Sequence, residues 1–260
     1  MKHIKTAAII IAYLVIYYAL QIVDFIVLDI QAIFKGLNQT QAVDYMNKNM
    51  AFVLIPAMII SFIIYFFILR ARGKNLLKIC KPKKVKVKNI MLIILIVVGY
   101  SLTLSAVSLY VVKYFPSYND TAKTISSTMS SWIGITAVVI LAPIFEEIMF
   151  RGIILTEISD NIKIVPAVII QAIIFGIYHM NIFQGLYASI LGLVLGYVCV
   201  KTKTIVGSIT GHITFNICGT FVFPILLSYT SRYGIGYIIL GIIILCGATF
   251  YFNKTVEVSN

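Results

Sequence analysis

Two adjacent carboxylates, Glu146 and Glu147, lie inside an apolar stretch, and Arg151 follows four residues after the second. On a helix, residues four apart share a face, so Glu147 and Arg151 can form an ion pair that lowers the cost of burying both. Glu146 is rotated about 100° from Glu147 and is not served equally by the arginine. We expect the ion pair to be structural and Glu146 to act in chemistry, the alternative being that all three hold helices together.

Two of the three histidines, His179 and His212, also fall in apolar stretches, and Asn216 lies four residues after His212. A carboxylate in apolar surroundings has a raised proton affinity and can act as general base or acid near neutral pH. Histidine can orient a water, shuttle a proton or bind a metal, and asparagine can donate to a developing oxyanion. With Glu146, these groups suit amide hydrolysis by water.

Other hydrolytic chemistries have weaker support in the sequence. No serine or cysteine is comparably placed beside a base, and the H-E-x-x-H pattern of one zinc protease class is absent. A glutamate and two histidines from three helices can still form a three-ligand zinc site that leaves one position open for water. Zinc bound by Glu146, His179 and His212 therefore stays open as an alternative.

The elements that must position these residues are membrane helices. The chain has 260 residues, of which 60% are hydrophobic and 12% are charged, whereas a soluble domain is nearer half apolar and a quarter charged. Lipid offers no partner to open strand edges, so the spans are predicted to be helical. We predict an all-α, polytopic membrane protein, a bundle of about eight transmembrane helices. The spans cover 6–28, 50–69, 90–112, 132–155, 163–180, 182–200, 205–227 and 233–252.

The net charge of +12 comes from basic residues that flank the apolar spans. This distribution indicates topology and contact with anionic lipid, and argues against nucleic acid binding. Nine basic residues lie in the loop 70–89, and the predicted spans put 16 of the 21 Lys and Arg on that side and five on the other. We therefore predict a multi-pass protein of the cell (plasma) membrane with the loop and both termini in the cytoplasm. The loop is either a topology signal or a lipid or partner site.

We predict one continuous membrane domain with two parts that meet at residue 131. Residues 1–131 contain the N-terminal helices 1–3 and the basic loop. Residues 132–260 contain helices 4–8 and the polar clusters. The polar stretch 113–131 is predicted to be an exposed loop on the outer side. Ala188, Gly192 and Gly196 form a small-residue ridge for close helix packing. The four scattered cysteines indicate neither a disulfide framework nor a cysteine metal site.

Three motifs on separate predicted spans resemble, in order, those of the CAAX protease and bacteriocin-processing (CPBP, or Abi) family of intramembrane proteases. This family includes the Ras-converting type of CAAX prenyl endopeptidase, and the resemblance covers about residues 132–220. The motifs read Glu146-Glu147-x-x-x-Arg151, Phe175-x-x-x-His179 and His212-x-x-x-Asn216.

The resemblance implies an eight-helix intramembrane endopeptidase with an internal polar cavity, which cleaves a membrane-associated peptide or protein near the membrane surface. Glu146 would activate the hydrolytic water with help from His179, and His212 and Asn216 would line the oxyanion site. The other charged residues of the first motif would support it. The usual family label, metalloprotease, implies Zn²⁺, although members are also described as metal-free glutamate proteases.

Two other functions compete with proteolysis. A non-catalytic immunity or binding protein of the membrane could keep the polar residues for packing. A transporter could use the glutamate and histidines as a proton relay. Transporters of this size more often carry broken helices at matching places in two halves, and Pro143 and Pro166 form no such pattern.

Overall fold

The computed structural model describes residues 2–256, which form helices joined by short turns and contain no β-strand. Fourteen α-helices can be distinguished among these residues. They are α1 (Lys2–Phe34), α2 (Gln39–Lys48), α3 (Ala51–Ala71), α4 (Leu76–Cys80), α5 (Val87–Val111), α6 (Tyr118–Thr128), α7 (Trp132–Thr136), α8 (Ala142–Glu147), α9 (Leu155–Ser159), α10 (Ile164–Tyr178), α11 (Ile182–Thr202), α12 (Ile205–Ile217), α13 (Phe223–Thr230) and α14 (Gly234–Thr255).

Six helical stretches of the described chain are long and apolar enough to cross a membrane. The last of them, Ile205–Thr255, has 51 residues, or about 76 Å of helix, more than twice the roughly 30 Å of a bilayer core. Both α12 and α14 pack against α5, so the chain turns back at the 3₁₀ turn Ser231–Tyr233. This stretch thus corresponds to two of the predicted spans, and the shorter α10 supplies another apolar helix.

These helices confirm the prediction of an all-α, polytopic membrane protein. Large apolar side chains remain exposed on the long helices, as on Ile11, Phe67 and Ile243. Such surfaces are stable in hydrocarbon and unfavourable in water. The chain is accordingly an integral membrane protein, and the internal polar cavity stays a prediction.

The prediction of a loop at 113–131 is wrong, because most of this stretch forms α6. Its apolar residues at helical spacing, Tyr118, Ala122 and Ile125, are few among polar neighbours, so the segment resembles an exposed loop. The helix is held by tertiary hydrogen bonds: Thr124 donates to the Asn47 side chain at 3.2 Å, and Thr128 donates to the Asn47 carbonyl at 3.2 Å. Spacing along the sequence does not reveal partners so far apart in the chain.

The described helices group into two compact units that interleave along the chain. The first contains residues 1–79 and 119–163, and the second contains residues 80–118 and 164–260. These units are defined by contacts, whereas the division at residue 131 concerns which helices carry the motifs, and that division remains a prediction.

In the first unit, aromatic residues join α1, α3 and α8. The Tyr13 and Tyr65 rings meet edge to face with centroids 4.9 Å apart, and the Tyr17 ring lies 4.7 Å from that of Phe145. The Tyr65 hydroxyl donates to the Tyr13 carbonyl and lies 3.7 Å from the Met149 sulfur. These contacts fix the segment that carries the first motif against two neighbouring helices.

In the second unit, glycines allow helices to approach closely. A methyl group on Gly241 of α14 would lie 2.7 Å from the Gly99 carbonyl oxygen of α5. On α11, a methyl group on Gly192 would lie 2.9 Å from Ala172, and one on Gly196 would lie 2.9 Å from Val168, both of α10. The small-residue ridge predicted from the sequence therefore packs against α10, the helix that leads to His179.

Candidate active site

The first motif lies on a helix that is widened on both sides of its carboxylates. The helix from Trp132 to Ser159 is continuous, but residues Ala137–Leu141 and Ile148–Ile154 form π-helix. These π segments flank α8, which carries both glutamates. Insertions of this kind are rare and occur frequently at functional sites.

Glu147 and Arg151 form the ion pair that their spacing predicts. Arg151 Nη1 donates to Glu147 Oε1 at 2.7 Å, and both side chains are completely buried. Burying either charge alone would be costly, whereas together they form a charge-assisted hydrogen bond. The pair is thus a structural element of the helix, packed where water does not reach it.

Glu146 is placed differently from its neighbour. It is half-buried whereas Glu147 is buried, and neighbouring residues on a helix are rotated by about 100° from one another. The residue before it, Phe145, is buried against α1, and Tyr18 of α1 lies within electrostatic range of the Glu146 carboxylate. Of the two adjacent carboxylates, Glu146 is therefore the one that a water or substrate atom can approach.

His179 follows the last residue of α10 and begins a tight turn. Met180 has a left-handed backbone with φ of 53°, and the Asn181 side chain accepts from the Gln184 amide at 3.1 Å to cap α11. His179 Nδ1 lies 2.8 Å from the Phe175 carbonyl oxygen. A carbonyl only accepts, so Nδ1 carries the proton, and Nε2 is the basic atom of the neutral ring.

His212 and Asn216 lie on one face of α12, as their spacing predicts. His212 is buried and Asn216 is half-buried. Phe175, which is itself buried, joins the second and third motifs: its ring centroid is 4.9 Å from that of His179 and 5.7 Å from that of His212, both edge to face. Within the second unit the structure therefore gathers both imidazoles around one phenyl ring.

The six residues predicted for the site are shared between the units. The first unit holds Glu146 with the ion pair beside it, and the second holds His179, His212 and Asn216. Among residues 2–256, no three His, Cys, Asp or Glu side chains are grouped as the ligands of a metal ion would be. We therefore derive no step through a metal, and zinc binding stays a prediction.

Sequence reasoning missed a second cluster of charges in the first unit. Arg72 donates to both carboxylate oxygens of the buried Glu157, at 2.8 and 2.9 Å. Lys74 Nζ lies 2.8 Å from Glu157 and 2.9 Å from Asp160. These residues tie the loop after α3 to the end of the helix that carries Glu146. They are 83 to 86 positions apart, so no spacing pattern could reveal them.

This cluster favours the charged form of Lys74. Burial opposes its charged form, but hydrogen bonds to Glu157 and Asp160 outweigh burial and raise the pKa of Lys74 above its ordinary value. A raised lysine pKa contributes stability that is fully present below about pH 10.5 and is lost as the pH rises through the folded-state pKa. The cluster of Arg72, Lys74, Glu157 and Asp160, called here the Glu157 clamp, therefore keeps this contribution to stability at neutral pH.

Comparison with known proteins identifies the region around the motifs. Residues 128–218 match the family described as "Type II CAAX prenyl endopeptidase Rce1-like". The "Putative membrane peptidase YdiL" of Bacillus subtilis (strain 168) is 32% identical over 94 residues, which are 36% of this chain. The chain thus spans 37% of the length of this curated relative. No solved structure matches the chain.

The family match contains all three motifs, from the adjacent glutamates to Asn216. It agrees with the resemblance drawn from the motifs alone. Over residues 128–218, the chain is therefore similar to the type II CAAX prenyl endopeptidases, the family type that the motifs resemble.

Proposed function

We propose that this protein is a membrane endopeptidase that hydrolyses a peptide bond near the membrane surface, with Glu146 and His179 activating the water. The observation that carries the proposal is the different placement of the two adjacent glutamates. Glu147 is fully buried and bound to Arg151 at 2.7 Å, while Glu146 is half-buried. A helix that needed only a salt bridge would have no use for a second carboxylate in an apolar segment, where each costs several kcal/mol.

The proposed reaction uses each remaining group for one task. Glu146 takes a proton from water, and the hydroxide oxygen attacks the peptide carbonyl carbon. The Asn216 amide and His212 stabilise the negative charge on the carbonyl oxygen. Before the attack, Nε2 of His179 orients the water. When the C–N bond then breaks, the leaving amine takes up the proton held by Glu146. One water is consumed, and one carboxylate and one amine are formed.

In this proposal Glu146 supplies the carboxylate, His179 and His212 supply the imidazoles, and Asn216 supplies the amide. The family names of the matched proteins suggest peptides with a prenylated cysteine near the C-terminus as one substrate class. We propose a membrane-associated peptide or protein as substrate in general. We also propose that the protein resides in the cell membrane with both termini in the cytoplasm.

The test uses purified protein in liposomes and a fluorescence-quenched peptide, offered with and without a farnesyl group on its cysteine. We expect Glu146→Gln to lower the cleavage rate by about 100-fold or more, as for other general bases. Asp160→Asn, the same chemical change at an exposed carboxylate outside the motifs, should leave the rate unchanged. Cleavage of only the farnesylated peptide would define the substrate class.

Full cleavage by Glu146→Gln would refute the mechanism. If the wild type cleaves neither peptide while Glu146→Ala keeps full function in cells, a non-catalytic binding protein becomes the better description. Metal analysis of the purified protein, compared with His179→Ala and His212→Ala, tests zinc. About one equivalent in the wild type, lost in both variants, would establish a metal site.

A further inference from the structure

We propose that the second unit binds anionic phospholipid headgroups through a cluster of lysines at one end of its helices. The cluster, called here the lysine cluster, comes from three separate segments of the chain. Its members are Lys81, Lys83, Lys84, Lys86, Lys88, Lys201 and Lys254. Lys201 is half-buried, and the others are exposed.

Packing brings the three segments to the same end of the unit. The side chains of Ile93 near the start of α5, Val198 near the end of α11, and Phe252 near the end of α14 share one buried apolar cluster, and Val85 packs against it. The lysines just outside these positions therefore emerge from neighbouring helix ends, although more than 160 residues separate the first from the last.

The backbone that displays the central lysines is fixed. The Lys83 amide donates to the Thr204 hydroxyl at 3.1 Å, and that hydroxyl donates back to the Lys83 carbonyl at 3.3 Å. Thr204 is buried and also caps α12 by accepting from the Val206 amide at 3.2 Å. The Lys83 amide further approaches the Lys81 carbonyl at 2.7 Å across Pro82. The lysine side chains thus extend from a segment held in one conformation.

The described residues of the second unit offer these cations no carboxylate. Residues 80–118 and 164–256 contain ten Lys and Arg residues and no Asp or Glu. Glu257 lies outside the described residues. Like charges displayed together repel one another unless anions neutralise them. In the first unit, by contrast, Arg72, Lys74 and Arg151 each lie within 3 Å of a carboxylate.

The position of the lysine cluster points to lipid as the source of the anions. Its lysines flank the ends of the apolar helices α5, α11 and α14, where a bilayer places its phosphate groups. Val87, between Lys86 and Lys88, is 79% exposed, and an apolar side chain flanked by lysines suits the boundary between acyl chains and headgroups.

The test measures binding of phosphatidylglycerol and of phosphatidylcholine to the full-length protein in detergent by native mass spectrometry. The variant with Lys83→Gln and Lys84→Gln is compared with one carrying Lys113→Gln and Arg232→Gln. The control removes two charges from the same unit at the opposite helix ends. Each lysine near the surface contributes about fivefold to binding of anionic lipid.

We therefore expect the Lys83 and Lys84 variant to bind phosphatidylglycerol at least about tenfold more weakly, and the control to bind like the wild type. Phosphatidylcholine binding should not change, and 300 mM salt should weaken the difference. Equal loss in both double variants, or no preference for phosphatidylglycerol in the wild type, would overturn the proposal. So would displacement by 10 mM inorganic phosphate, which would identify a site for free phosphate instead.

Discussion

Replacing Glu147 by methionine should destabilise this protein far more than replacing its neighbour Glu146 by glutamine. The Glu147 and Arg151 side chains are both 0% exposed and form a hydrogen bond of 2.7 Å. Removing the carboxylate leaves the guanidinium charge buried, which costs about 3–5 kcal/mol in proteins. For a chain of this size, such a loss lowers the melting temperature by about 6 °C or more.

Glu146 is half-buried, and glutamine keeps its size, so Glu146→Gln should change the free energy of unfolding by no more than about 1 kcal/mol. The variants at the two adjacent positions are thus expected to have different effects. Glu147→Met loses stability, whereas Glu146→Gln loses the proposed cleavage and keeps its stability. Thermal unfolding in detergent, followed by tryptophan and tyrosine fluorescence, measures the first effect, and the peptide assay measures the second.

A double variant completes the comparison. When Glu147→Met and Arg151→Met are combined, no charge remains buried, and apolar packing can replace the pair at little cost. We expect the double variant to recover at least half of the stability that Glu147→Met loses alone. The reasoning is refuted if Glu147→Met is no less stable than Glu146→Gln, or if the double variant is as unstable as the single one.

Three further substitutions or treatments test the packing and the charges. Gly241→Ala should lower the free energy of unfolding by more than about 2 kcal/mol, because the added methyl group would lie 2.7 Å from backbone. Thermal unfolding measures this loss. As the control, Gly247→Ala places its methyl group where nothing lies within 4 Å, so it should be neutral or slightly stabilising. Glu157→Gln should lose about 2 kcal/mol or more by urea or thermal unfolding, while Asp160→Asn, whose side chain is 53% exposed, should lose less than about 1 kcal/mol. Burial raises the pKa of the Cys80 thiol to about 12, so roughly one thiol in ten thousand is ionised at pH 8, and iodoacetamide should label it only after denaturation.

Helical periodicity alone was sufficient to predict the local geometry of the motifs. A spacing of four residues predicts that Glu147 meets Arg151 and that His212 shares a face with Asn216, and the structure agrees on both. The same rule separates Glu146 from Glu147. These features depend only on residues within one or two turns, where the backbone fixes directions.

Features that depend on distant partners were not predictable in this way. The helix α6 depends on hydrogen bonds to Asn47, and the buried Glu157 depends on a loop more than 80 residues earlier. The widened π segments around α8 also leave no mark in an apolar sequence without alternation of residue types. Each arises from tertiary packing, which a single sequence read by local pattern does not contain.

The distribution of charge explains how one chain can carry both a proposed reaction and a proposed lipid site. Its described carboxylates all lie in the first unit. Four ion-pair contacts there involve the buried Glu147 or the cluster of Arg72, Lys74, Glu157 and Asp160. Because Arg151 pairs with Glu147 at 2.7 Å, the adjacent Glu146 does not lie beside an uncompensated negative charge. The described part of the second unit contains imidazoles and lysines but no carboxylate. His179 Nδ1 lies 2.8 Å from the Phe175 carbonyl oxygen, which leaves Nε2 as the ring atom that can orient a water in the proposed reaction, while the lysine cluster lies at the helix ends.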